Sequence, residues 1–150
     1  MILKIIVAGI IGTAVMTLFT NAIAFLFKDR CRVVRVLGTM LTFQTTPDKG
    51  LSNQLSALLV GTVAHYFVGI VFSFVYAWLW SQEIVDENFY EAGILGFVTG
   101  IFAIVVWRIF IAIHSNPPNL PLSLYLSAIL VGHVFFAIGV LATHVLATAL

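Results

Sequence analysis

Charge is what this sequence has least of. Only 9% of its 150 residues are Asp, Glu, Lys or Arg, against about 25% in an ordinary soluble domain. With 61% of residues hydrophobic, the chain has too little polar surface to dissolve, and its length leaves no room for a second, soluble domain. A net charge of +1 gives no footing for binding nucleic acid. The lone cysteine, Cys31, excludes an internal disulfide and is expected as a reduced thiol on the cytoplasmic side. No HExxH or CxxC motif is present, and no acidic residue falls inside a long apolar run. That absence argues against a carboxylate relay for protons or sodium, because such carriers place ionisable groups along their path.

What is present is a set of charge-free runs at 5–27, 51–82, 92–107 and 109–150, the last interrupted near its start by Pro117, Pro118 and Pro121. A spanning helix needs about 20 apolar residues. These runs predict transmembrane helices over about 5–27, 55–79, 91–113 and 122–147. Within hydrocarbon every backbone N–H and C=O must be satisfied by the protein, which favours helices. Strands of a membrane barrel would show dyad alternation instead. The expected fold is therefore an all-α membrane protein, a four-transmembrane-helix bundle in a single domain over 1–150. The first run resembles a signal peptide in its Lys4 and its "AIA" at 22–24, but it continues through "FLF" and is expected to stay as an uncleaved helix.

Basic residues set the expected orientation. Lys28, Arg30, Arg32, Arg35, Lys49 and Arg108 collect at the face opposite the chain start, and Lys4 alone lies at the starting face. The positive-inside rule places loop 28–54 in the cytoplasm and both termini outside. Tyr76, Trp78, Trp80, Phe89 and Tyr90 gather towards the starting face, and Trp107 and Tyr125 towards the opposite one, as expected of an aromatic belt. Arg108 reads as a snorkelling anchor, with a lipid headgroup as the other partner considered. Asn88 with Glu91 three residues on reads as a cap for the third span. "HSNPPNLP" reads as the break before the fourth.

The segment "RCRVVRVLGTML" at 30–41 has Val33, Val36, Leu37, Met40 and Leu41 on one helical side and Arg32, Arg35 and Thr39 on the other. It reads either as an amphipathic helix lying in the interface, with Arg32 and Arg35 towards anionic headgroups, or as an irregular basic loop. Two word pairs suggest a parallel two-helix pseudo-repeat: "GIIGT" with "GILGF", and "SALLVGT" with "SAILVGH".

Small and polar residues recur at four-residue steps. They are Gly9, Thr13, Thr17 and Asn21 in the first span, and Gly61, His65, Gly69, Ser73 and Ala77 in the second. The third has Ala92, Gly96 and Gly100, and the fourth has Ala128 and Gly132. Lipid tails are as apolar as leucine, so close backbone approach and polar contacts are what bring membrane helices together. These stripes are expected to face inward, with Asn21 forming an interhelical hydrogen bond.

His65 and His133 both lie roughly 15–18 Å from the opposite face, near the midplane, at 1.5 Å of rise per residue. His114 and His144 lie at span ends. The bland reading of the central pair is polar glue bonded to Thr13, Thr17, Ser73 or a carbonyl. A sharper one is axial ligation of haem b, with Gly69 making room for the macrocycle. A metal site has less support, since three or four ligands should converge.

Together "GIIGTAVMTLF", "VLGTML", "AHYFVGIVFSFVYA" and "GHVFFAIG" resemble an uncharacterised family of small bacterial four-helix inner-membrane proteins. The family pattern places a His followed four residues later by Gly in the second and fourth spans. His65 and Gly69 match it; after His133 the fourth residue is Ala137, with Gly139 two further on. The resemblance implies a bacterial inner membrane and no activity. The function expected is that of a non-enzymatic accessory, assembly or structural component that meets lipid, copies of itself or a larger complex. A haem-binding redox subunit and an oligomeric solute or lipid transporter are the alternatives.

Overall fold

The computed structural model describes residues 2–26 and 32–148. They form α1 (Ile2–Leu26), α2 (Val33–Leu41), α3 (Leu55–Ser81), α4 (Phe89–Ile113) and α5 (Leu122–Thr148). α1, α3, α4 and α5 are each long and apolar enough to cross a membrane. The chain is an all-α, multi-pass membrane protein, and the four expected spans coincide with the four long helices to within a few residues. Cys31, Lys28 and Arg30 lie outside the described residues.

The helix ends follow from local chemistry. The side chain of Asn88 accepts the backbone N–H of Glu91 at 2.9 Å and so caps α4. The Pro-rich 114–121 segment separates α4 from α5. α3 closes at Gln82, and Glu83 takes a left-handed φ of 54° in the turn towards α4.

Packing follows the small-residue stripes. Gly9, Thr13, Gly61, His65, Gly69, Ser73, Ala92, Gly96, Gly100, Ala128 and Gly132 are all buried. A Cβ on Gly9 would lie 2.8 Å from the Ile70 Cα, and one on Gly96 would lie 2.6 Å from the His133 carbonyl oxygen. Such contacts mark helix pairs held at backbone distance. Asn21 departs from expectation. It is exposed, at the edge of a groove with Arg32, Arg35 and Asn53, and forms no interhelical bond among the described residues. It lies on the side of α1 away from the contact that buries Thr20 and Ala24.

The lateral order of the spans is α3, α1, α5, α4. α1 packs on both α3 and α5, and α5 packs on α4. α3 and α4 are joined by a short connection yet do not pack along their lengths. The two halves, α1 with α3 and α4 with α5, each form an antiparallel hairpin. The repeated words sit in unlike surroundings: Gly61 abuts α2, whereas Gly132 faces Met16 and Thr20 of α1.

α2 explains the separation. Val33, Val36 and Met40 are buried in one apolar cluster with Ala24, Tyr125, Leu126 and Ile129, and Trp107 and Phe110 of α4 pack against it. A Cβ on Gly38 would collide with the Ala57 carbonyl, and one on Gly61 with the Val34 carbonyl, so the α2 and α3 backbones touch. The segment is thus a helix, and it wedges into the opposite-face end of the bundle. Its polar side is engaged as well. Thr39 is buried and accepts the Ser52 N–H at 2.9 Å. The guanidinium of Arg35 is bonded to the carbonyls of Leu51 and Ser52 and to the Asn53 side chain.

The aromatic residues divide in a way their positions alone do not give. Trp78, Phe89 and Tyr90 are exposed near the starting face. Tyr76, Trp80 and Tyr125 are turned into the core instead. They fill the space between helices that glycine and alanine do not.

Candidate functional site

The gap between α3 and α4 is a lateral cleft of about 240 Å³. α1 and α5 form its back through Thr13, Met16, His133 and Phe136. Its walls are His65, Val68, Gly69 and Phe72 of α3 and Phe102, Ala103, Val106, Trp107 and Phe110 of α4. Val33 and Leu37 of α2 close the opposite-face end. Val68, Phe102 and Val106 are also exposed, so the mouth faces where acyl chains lie.

At the other end a polar strap joins the two walls. The Thr99 hydroxyl lies 2.9 Å from the Leu95 carbonyl and shares a hydrogen bond with the Tyr76 hydroxyl at 2.7 Å. Tyr76 is fully buried against Phe72 and Phe136. Neither strap nor wedge is visible from helical periodicity. The available signal is Thr99, a hydroxyl within the charge-free 92–107 run.

The structure brings His65 and His133 to one cavity. Both are buried, with relative exposures of 8% and 9%. The Thr17 hydroxyl donates to the Thr13 carbonyl at 2.7 Å. Its oxygen therefore accepts Nε2–H of His65, at 3.2 Å. In the neutral ring this leaves Nδ1 as a bare acceptor. His133 donates Nδ1–H to the Ile129 carbonyl at 2.8 Å, which leaves Nε2 bare in the same way. Among the described residues neither of these nitrogens has a hydrogen-bond partner, and both rings line the cavity. Of the hydroxyls expected to serve these rings, Thr17 does so. Thr13 bonds within its own helix, and Ser73 donates to the Ile5 carbonyl at 2.8 Å, because the geometry of the α1–α3 contact turns both away from the imidazoles.

Gly69 does not make room for a macrocycle. A Cβ there would collide with the Thr13 hydroxyl, so the space beside Gly69 is filled by α1. The cleft is also smaller than the roughly 300–1,000 Å³ of sites for drug-sized ligands. The two ring nitrogens suit axial ligation in kind. Among the described residues no group of three or more His, Cys, Asp or Glu is placed to hold a metal ion.

The remaining candidates lie elsewhere. His114 donates Nε2–H to the Met40 carbonyl at 2.9 Å and accepts the Asn116 N–H on Nδ1 at 3.1 Å, so both its nitrogens are used. Phe43 stacks on that ring at 4.8 Å. Together they clasp α2 to the end of α4. His144 lies 3.8 Å from the Glu87 carboxylate and 5.2 Å from the Trp80 ring, at the starting face. Arg108 is exposed on α4, one turn from its end, and Arg32 is half-buried at the start of α2.

Compared with protein families, with curated proteins and with solved structures, the chain has no match.

Proposed function

We propose that this protein is a non-enzymatic accessory component of a bacterial inner membrane that holds a small amphipathic membrane molecule in the cleft between α3 and α4. The observation that carries this reading is the pair of bare imidazole nitrogens, His65 Nδ1 and His133 Nε2, in an otherwise apolar cleft opening sideways. Binding sites of this type combine apolar walls with a few polar groups that fix orientation. Both ring protons are already committed to Thr17 and Ile129, which favours binding over proton transfer. The cleft is closed by α2 at one end and by Tyr76–Thr99 at the other, which favours a lateral guest over a conducted solute. The crowding at Gly69 weighs against the haem reading.

Ala103→Trp tests the proposal, because Ala103 lines the cleft and is half-buried. A radiolabelled long-chain alkylphenol should be retained by the full chain in lipid nanodiscs above the level of empty discs, and retention should fall to that level in Ala103→Trp at unchanged helicity. Equal retention by the two proteins refutes the site. A Soret band in the purified protein, lost on substitution of either histidine, would restore the haem reading.

The orientation proposed has loop 28–54 in the cytoplasm and both termini outside, on the strength of its basic residues. The single native cysteine, Cys31, is a ready reporter. A membrane-impermeant maleimide applied to intact spheroplasts should leave it unlabelled, and should label Asp86→Cys in a Cys31→Ser background.

A further inference from the structure

We infer that the guest of the α3–α4 cleft is a membrane-soluble hydroquinone, bound in its reduced form in preference to the oxidised quinone. This inference rests on the binding role proposed above and adds the chemistry of the ligand.

Proton placement sets the chemistry that the cleft offers. His65 is more than nine-tenths buried, and its Nε2–H is held by Thr17, whose own proton is given to the Thr13 carbonyl. A carbonyl oxygen can only accept, so the Ile129 carbonyl fixes the proton of His133 on Nδ1 with no alternative. The cleft therefore offers a guest two hydrogen-bond acceptors and no imidazole donor. Moving the His133 proton to Nε2 would break its bond to Ile129, and moving the His65 proton to Nδ1 would make the Thr17 hydroxyl leave the Thr13 carbonyl to donate to Nε2. A buried acceptor left unpaired is costly, and a guest with hydroxyl groups removes that cost.

The walls define the rest of the molecule. Phe72 meets the His133 ring edge-on at 6.2 Å, and Trp107, Phe110 and Phe136 also face the space. Aromatic walls favour a planar ring through offset and edge-to-face contacts. A volume of about 240 Å³ holds one ring-sized head, and the mouth beside Val68 and Val106 leaves an apolar tail in the bilayer. A planar ring with two hydroxyls and an alkyl tail satisfies all of these constraints. The oxidised form carries two carbonyl acceptors in place of the hydroxyls. It would set lone pair against lone pair at both nitrogens. Each neutral hydrogen bond lost costs about three- to tenfold in affinity.

The test is equilibrium binding of a radiolabelled short-tailed alkyl hydroquinone to the full chain in nanodiscs, against empty discs, with dithionite present. Parallel arms use the same compound oxidised without dithionite, and an alkylbenzene that lacks oxygen. The inference expects the hydroquinone to bind at least about tenfold more tightly than either. Thr17→Val frees the Nε2 proton of His65 and lets the ring present a donor, so the preference for the reduced form should shrink to about threefold with quinone affinity rising. Quinone binding equal to or tighter than hydroquinone in the wild-type protein overturns the inference. An unchanged redox preference in Thr17→Val also overturns it. If the alkylbenzene binds as well as the hydroquinone, the cleft holds apolar guests without this chemistry, and the binding role alone survives. Retention of none of the three sinks both.

Discussion

Nε2–H of His65 reaches across from α3 to the Thr17 hydroxyl of α1 at 3.2 Å, while that hydroxyl donates to the Thr13 carbonyl one turn away. This relay ties the orientation of a mid-membrane imidazole to the backbone of a neighbouring helix. Hydrogen bonds between membrane helices contribute about 0.6 kcal/mol on average and at most about 1.7. Thr17→Val should therefore lower unfolding stability in mixed micelles by about 0.6 kcal/mol and leave helicity intact. A loss above 2 kcal/mol, roughly beyond the range known for such bonds, would mean that Thr17 contributes packing as well.

The contact between α2 and α3 gives a sharper test. Gly38→Ala and Gly61→Ala each drive a methyl into a backbone carbonyl that no side-chain rotation can clear. Overpacking typically costs about 1–3 kcal/mol, and these two positions should lie at or above the top of that range. Gly93 has nothing within 4 Å of the added methyl, so Gly93→Ala should be neutral or stabilising by up to about 1 kcal/mol. Thermal unfolding of the three variants in one detergent checks the contrast.

Tyr76→Phe removes the strap between α3 and α4 without leaving the Thr99 hydroxyl unpaired, because Thr99 also donates to Leu95. The cost should be near 1 kcal/mol. The helices should part at that end, so spin labels at exposed Val75 and Val98 should report a longer and broader distance distribution than in the wild-type protein.

His114→Ala opens the clasp at the other end. The buried Met40 carbonyl loses the imidazole, and Phe43 loses its stacking partner. Destabilisation of about 1–3 kcal/mol is expected. Limited proteolysis within 42–50 should quicken, since that loop is otherwise held by Thr45 donating to the Asn116 carbonyl and by Asn119 N–H on the Lys49 carbonyl. Unchanged cleavage would show that those loop contacts suffice alone.

The spans were legible because charge-free length is a one-dimensional property, and the bilayer punishes any exception to it. The inward stripes were legible for a similar reason: Gly, Ser and Ala at four-residue steps can only be exploited by a close neighbour. The depth of His65 and His133 followed from rise per residue. What the chain order did not show is which helices are lateral neighbours. α3 and α4 are consecutive, yet they are the pair held apart, because the nine residues of α2 occupy the space between them. Short amphipathic helices look alike whether their apolar side meets lipid or protein. Gly38 was the one sign that α2 meets a backbone. The tautomers were equally hidden, since each depends on which partner the other ring nitrogen finds.

The way α2 is mounted has a mechanical result. Towards α3 it is locked, backbone against backbone, at Gly38 and Gly61. Towards α4 the apolar cluster that contains it is met by side chains, among them Ala103, Ile104, Trp107, Phe110 and Ile111, and His114 bonds to Met40. Of the two walls of the cleft, α3 is thus the one joined to α2 at backbone distance. On the proposed binding role, widening of the cleft would swing α4 outward on its contact with α5, while the imidazole of residue 65 keeps its bond to Thr17.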